Sequence, residues 1–324
     1  MDFKDLYAVV ADDFAAVNAF ITDRLNTNVP MIREVGEYIV GSGGKRLRPL
    51  VAILAARACG YQGDKHVHVA AIIEFLHTAT LLHDDVVDES TLRRGRPTVN
   101  AVWGNAASVL VGDFLISRAF QLVVEVGDLT LMDILADSTN IISEGEVLQL
   151  INCRDPATTE ERYMRVIHHK TAKMFESAAE TGAVLGSGGP SPAIRQQLAA
   201  YGRHLGIAFQ LVDDVLDYAG DADELGKNVG DDLAEGKPTL PLIHAMREST
   251  PAQAAMIRDA ILKGGLDHLD EILTVVRASG GLDYTMVQAR KQTELALAAL
   301  VELPASPYRE TLEALAREAV NRHF

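Results

Sequence analysis

Residues 74–98, EFLHTATLLHDDVVDESTLRRGRPT, decide how the rest of the chain is read. They set Asp84, Asp85 and Asp88 ahead of the adjacent Arg93 and Arg94, with His77 two helical turns upstream. On a helix, residues three and four apart are neighbours, so DDxxD gathers three carboxylates into a patch one turn long. Like charges that close repel unless a cation compensates. The same pattern returns as Asp213, Asp214 and Asp217 in FQLVDDVLDY. A solvated helix face would explain one such cluster. Apolar flanks (Leu81, Leu82, Val86 and Val87; Leu211, Val212, Val215 and Leu216) favour acids that line a cleft. Carboxylates without a fixed loop scaffold suit Mg²⁺, which shares its coordination with water and phosphate. They suit zinc poorly, since no cysteine or paired histidine accompanies them. Two such helices facing each other across a bundle would hold several ions between them.

Outward from this stretch, apolar residues recur at helical spacing along most of the chain. Helices are expected over 6–25 and 31–40, then, after the glycine-rich turn 41–44 and the KRLRP motif (45–49), an alanine-rich helix to about Ala58. A long helix starts near Lys65 and carries the first aspartates. Further helical blocks are expected at 99–125, 128–152, 158–186 and 192–219. Beyond an irregular Gly- and Asp-rich loop, 220–238, shorter helices follow at 240–248, 252–263, 266–279, 281–302 and 307–322. No convincing strand, linker, repeat or low-complexity tract interrupts them. The expectation is one all-α domain over residues 1–324, a single large helical bundle.

Composition narrows the partners. The net charge of −15 argues against nucleic acid, whose phosphates require a basic face. An acidic chain still binds anions if divalent cations are recruited first. Two cysteines outside any metal-binding spacing fit a reducing compartment. The N-terminal residues lack the features of a signal peptide, and Asp113 and Arg118 interrupt the most apolar run. A soluble, cytoplasmic protein without a membrane span is expected. Basic residues lie near the acids in sequence or flank the irregular loop: Lys45, Arg46 and Arg48; Arg93 and Arg94; Lys170 and Lys173; Lys227 and Lys237. Singly each reads as a surface charge; together they suggest a diphosphate held by metals on one side and cations on the other. His77 is read equally well as a packed histidine.

The pieces GGKRLRP (43–49), LLHDDVVDESTLRRGRPT (81–98), GDFL (112–115), Lys170-Thr171, FQLVDDVLD (209–217) and the GK ending in Lys227 resemble the trans-prenyl diphosphate synthases. The last helical stretch, YRETLEALAREAVNR, is similar too. The resemblance implies an isoprenoid-synthase-type bundle around a deep central cavity, usually a homodimer. It implies head-to-tail addition of isopentenyl diphosphate to an allylic prenyl diphosphate. Asp84, Asp85, Asp88, Asp213, Asp214 and Asp217 match positions where Mg²⁺ ions bridge to the allylic diphosphate. Lys45, Arg48, His77 and Arg94 match isopentenyl-diphosphate positions. Arg93, Lys170, Thr171, Gln210 and Lys227 match the allylic side, and Lys237 is grouped with them. Loop 220–238, with Lys227 and Asp231, is expected to be a lid that excludes water from a carbocation.

In that family, bulky residues four and five before the first aspartate stop chain growth. Here they are Thr80 and Ala79, with Leu76 two turns before Asp84, so a long-chain product is expected, of octaprenyl to decaprenyl length and of the kind found in quinone side chains. Release of such a product would involve peripheral membrane contact. A shorter-chain synthase (geranylgeranyl or farnesyl), a non-catalytic subunit of a heteromeric synthase and a terpene cyclase are the alternatives. The KR and RR elements argue against the cyclase, which needs no isopentenyl diphosphate site.

Overall fold

The computed structural model describes residues 3–41, 43–186, 191–219 and 229–321, and they are almost entirely helical. In chain order the helices are α1 (Phe3–Ala8), α2 (Ala11–Arg24), α3 (Pro30–Gly41), α4 (Leu47–Ala58) and α5 (Lys65–Val87). They continue with α6 (Val99–Trp103), α7 (Asn105–Val126), α8 (Leu129–Asn152), α9 (Glu160–Ile167), α10 (Lys173–Val184) and α11 (Pro192–Ala219). The remainder are α12 (Asp231–Ala234), α13 (Leu240–Glu248), α14 (Pro251–Lys263), α15 (Leu269–Ala278), α16 (Gly281–Ala298) and α17 (Pro307–Val320).

The all-α expectation holds, with local departures. The expected helix 6–25 is two helices, and the block 99–125 is split at Gly104. Between α9 and α10, His168–Ala172 form a π-turn. Contrary to the expectation of no strand, β1 (Leu92–Arg93) and β2 (Arg96–Pro97) pair antiparallel. Arg94 and Gly95 join them, both with positive φ (53° and 71°), the geometry of a two-residue hairpin turn.

The chain divides into two compact units. The first comprises residues 1–139, 174–202 and 299–315. Its core is built on the alanine-rich α4 and the long α5, with Leu50, Ile53, Ile72, Phe75, Leu115 and Phe175 all buried. Helix α5 packs against α2, α4 and α7, and the buried Ser108 hydroxyl donates to the Leu82 carbonyl (2.8 Å). By length and hydropathy (mean 1.6) α7 is apolar enough to cross a membrane, despite the interruptions at Asp113 and Arg118; 44% of its apolar window is buried inside the protein.

The second unit comprises residues 140–173, 203–298 and 316–324. One buried cluster joins Tyr163, Ile167, Ile207, Leu211, Val212 and Leu240; another gathers Tyr218, Leu233, Ile257, Ile261, Ile272 and Val276. The described end of the irregular loop belongs here. It forms the helical turn α12, whose Leu233 is fully buried.

Close helix packing in the first unit depends on Gly182 of α10. A Cβ there would lie 2.5 Å from the Ala52 carbonyl oxygen and 2.7 Å from Ala55 Cβ on α4. Gly182→Val is therefore expected to lower stability by about 2 kcal/mol in urea unfolding. An unchanged midpoint would contradict this packing.

Candidate active site

The first aspartate cluster sits where α5 ends. Asp84 and Asp85 occupy its last turn, and Asp88 caps it, its backbone N–H donating to the Asp84 carbonyl (2.8 Å). The three carboxylates are not equivalent. Asp85 is buried (1% exposed), whereas Asp84 and Asp88 stay half-buried. The hairpin turns the chain back so that Arg93 meets Asp85, with Nε at 2.9 Å and Nη2 at 2.7 Å from the same oxygen. Asn100 holds the turn by donating to the carbonyls of Asp85 and Ser90 (both 3.0 Å). Burial raises the Asp85 carboxyl above its usual range, Arg93 opposes this, and the charges of Asp84 and Asp88 raise it further.

The four residues expected to hold isopentenyl diphosphate all lie in the same unit as this cluster. Arg94 donates to the Gly43 carbonyl in the glycine-rich turn, and the Lys45 carbonyl accepts from Tyr7. Arg48 lies 3.1 Å from His77 Nε2 and stacks over the Phe175 ring at 4.4 Å. Burial, reinforced by Arg48, Arg94 and Arg93, pushes the His77 pKa well below its usual value, so the imidazole is neutral near pH 7. Glu74, one turn before His77, is an acid that motif reading passed over. It lies 3.6 Å from Arg46, and burial raises its pKa while Arg46, Arg48 and Arg94 pull it down.

The second cluster, on α11, repeats the asymmetry. Asp214 is buried (2% exposed), and Asp213 and Asp217 are half-buried. Asp214 receives one hydrogen bond from the Tyr163 hydroxyl and another from Gln210 Nε2 (2.8 Å). Gln210 in turn accepts from the Thr171 hydroxyl (2.9 Å). Thr171 and Lys170 lie in the π-turn, a form that recurs at functional sites because it inserts a residue into a helix. Lys170 pairs with Glu146 (2.7 Å). Lys237 pairs with Glu235, and its backbone N–H donates to the Asp232 carbonyl (2.8 Å). Helix α12 docks on the cluster: Gly230 donates to the Asp217 carbonyl (2.9 Å), and Asp232 N–H approaches the Asp217 carboxylate (3.3 Å). Lys227 lies outside the described residues. Of the participants seen here, Tyr163, Glu146 and Asp232 had no signal in the sequence beyond an aromatic on an apolar face and two ordinary acids.

Among the described residues, no three Asp, Glu, His or Cys side chains are gathered closely enough to hold a metal by themselves. Two half-buried carboxylates per cluster fit a hard cation that draws its remaining ligands from water and phosphate, which is the habit of Mg²⁺. Near the middle of α5, Ala79 is fully buried and Thr80 donates to the His77 carbonyl (2.8 Å). One and two turns earlier, Leu76 and Ile72 pack beside Ala119, Phe120, Val123 and Leu135, an apolar contact with no room for a water molecule.

Comparison with known proteins follows the same lines. Residues 29–276 match the family model described as polyprenyl synthetase. The chain is 54% identical over 323 residues to the octaprenyl diphosphate synthase of Escherichia coli K12, covering 99% of each chain. It superimposes on a polyprenyl synthase from Caulobacter crescentus CB15, solved with calcium and isoprenyl diphosphate, at a TM-score of 0.95 (44% identity; 99% and 98% of the two chains). A decaprenyl diphosphate synthase from Rhodobacter capsulatus gives 0.94 (46% identity, 99% of each chain).

The Asp217 carboxyl is raised to about 8, first by burial and then by Asp232. Its folded pKa exceeds the unfolded value of about 3.9, so the stability it contributes is full below pH 4 and is lost as pH rises through 8. Asp217→Asn keeps the neutral form at every pH. Its Tm relative to the metal-free parent is expected to climb between pH 4 and 8 by about 5 °C and then level off. A difference that is flat across that range would contradict the assignment.

Proposed function

The chain belongs to the polyprenyl synthetase family, and we propose that it builds a long-chain all-trans polyprenyl diphosphate by adding isopentenyl diphosphate units to an allylic primer. The full-length 54% identity to an octaprenyl diphosphate synthase carries the product assignment. Small residues at Ala79 and Thr80, with the apolar Leu76 and Ile72 on the preceding turns of α5, support it. A product of about C40–C50, destined for a quinone side chain, is the reading, with residues 1–324 acting as one synthase domain in the cytoplasm.

Lys45, Arg48 and Arg94 hold the isopentenyl diphosphate, and the neutral His77 keeps Arg48 in place by accepting its hydrogen bond. Lys170, Thr171, Gln210, Lys227 and Lys237 serve the allylic diphosphate, and Arg93 divides its guanidinium between that group and Asp85. Of the six aspartates, Asp84, Asp88, Asp213 and Asp217 are the metal ligands, and Asp85 and Asp214 are the buried anchors that set them. Mg²⁺, when bound, neutralises the diphosphate as it leaves the allylic carbon. The calcium of the Caulobacter protein is likewise a hard divalent ion with a preference for oxygen.

The enzyme acts as a homodimer in this reading. Val109, Leu110 and Val124 leave apolar area exposed on α7, which a second copy of the chain would cover. Contact with a membrane surface assists release of the product.

The test is incorporation of radiolabelled isopentenyl diphosphate by the purified chain with Mg²⁺ and farnesyl diphosphate, followed by sizing of the products. Products of C40 or longer are expected. Products that stop at C20 would overturn the length assignment, and no condensation would favour a non-catalytic subunit. Ala79→Phe is expected to shorten the product while retaining at least a tenth of the activity; an unchanged product would show that the growing chain does not pass this position.

A further inference from the structure

We propose that Tyr163 is a positioning residue for the second aspartate cluster, its hydroxyl tying the helix that leads to Lys170 and Thr171 to the helix that carries Asp213 and Asp217. The inference rests on the proposed synthase function and extends it to a residue that touches neither metal nor substrate.

Tyr163 lies in α9, two turns before Lys170, and Asp214 lies 51 residues further along the chain on α11. The Asp214 carboxylate is satisfied from two sides, one oxygen by Tyr163 and the other by Gln210. Gln210 is itself bound by Thr171. The hydroxyl of Thr171, the amide of Gln210, the carboxylate of Asp214 and the phenol of Tyr163 thus form one chain of hydrogen bonds, and both of its ends lie in the α9–π-turn segment. A carboxylate held at two points has a fixed side-chain torsion. Asp213 and Asp217 share its helical turn, and their spacing from Lys170 and Thr171 is set through it. Packing alone does not require this bond. The Tyr163 ring is buried among Ile167, Ile207, Leu211 and Leu240, where a phenylalanine would fit as well. The hydroxyl is the part that the core leaves unexplained.

Removing partners that orient a metal site costs about 10- to 100-fold in metal affinity. Isothermal titration of Mg²⁺ into the full chain with inorganic pyrophosphate, for the parent, Tyr163→Phe and Tyr201→Phe, tests the role. Tyr201 is also a buried tyrosine, and its hydroxyl donates to the Leu312 carbonyl (2.8 Å) and not to an aspartate of either cluster. Tyr163→Phe is expected to weaken Mg²⁺ binding about tenfold. It should also raise KM for the allylic diphosphate and leave KM for isopentenyl diphosphate unchanged. Tyr201→Phe is expected to lower Tm without moving the Mg²⁺ isotherm. Parental Mg²⁺ affinity in Tyr163→Phe, or an equal loss in Tyr201→Phe, would overturn the positioning role and leave the synthase reading intact. A parent chain that neither binds Mg²⁺ with pyrophosphate nor condenses substrate would overturn the synthase reading, and this inference with it.

Discussion

A carboxylate withdrawn from water is costly unless donors take up its charge, and each aspartate cluster is organised around one that is held in this way. Asp85 is held by the guanidinium of Arg93, and Asp214 by a phenol and an amide. Each is the middle acid of its DDxxD run, and in each run the flanking acids keep partial access to solvent. The motif is therefore not three equal ligands. One acid fastens the helical turn to the protein, and the other two are presented by it. The partners differ in charge: Arg93 is cationic, whereas Tyr163 and Gln210 are neutral donors. Burial, and after it the neighbouring Asp232, raises the Asp217 carboxyl to about 8. Acids crowded on one helical turn are suited to bind cations and the phosphates they bring.

Irregular backbone does the positioning. The Arg94-Gly95 turn sends Arg93 to Asp85 and Arg94 to the Gly43 carbonyl, so one hairpin links the first cluster to the glycine-rich turn. The π-turn at His168–Ala172 places Lys170 beside Glu146 and Thr171 beside Gln210. Helix α12 then ties the described end of the irregular loop to Asp217.

Helical periodicity carried most of the fold. The long helices α5, α8 and α11 were legible because their apolar residues recur over many turns. The breaks were not. A π-turn offsets the apolar pattern by a single residue, too small a shift to stand out in a continuous helical stretch, and two-residue strands are too short to show alternation. Gly104 splits α6 from α7 within a stretch that reads as continuous helix, because a single glycine is tolerated in many helices. The aspartate clusters and their cations were legible as motifs, since acids crowded on apolar helices need a reason. Their inequality was not, because burial of Asp85 depends on a hairpin, and burial of Asp214 depends on a tyrosine 51 residues away that reads as core.

The most direct test is a crystal structure of the chain with Mg²⁺ and inorganic pyrophosphate. The account predicts ions on Asp84, Asp88, Asp213 and Asp217, with Asp85 still bound to Arg93 and Asp214 still bound to Tyr163 and Gln210. Asp85 and Asp214 released from those partners and coordinating metal would contradict it.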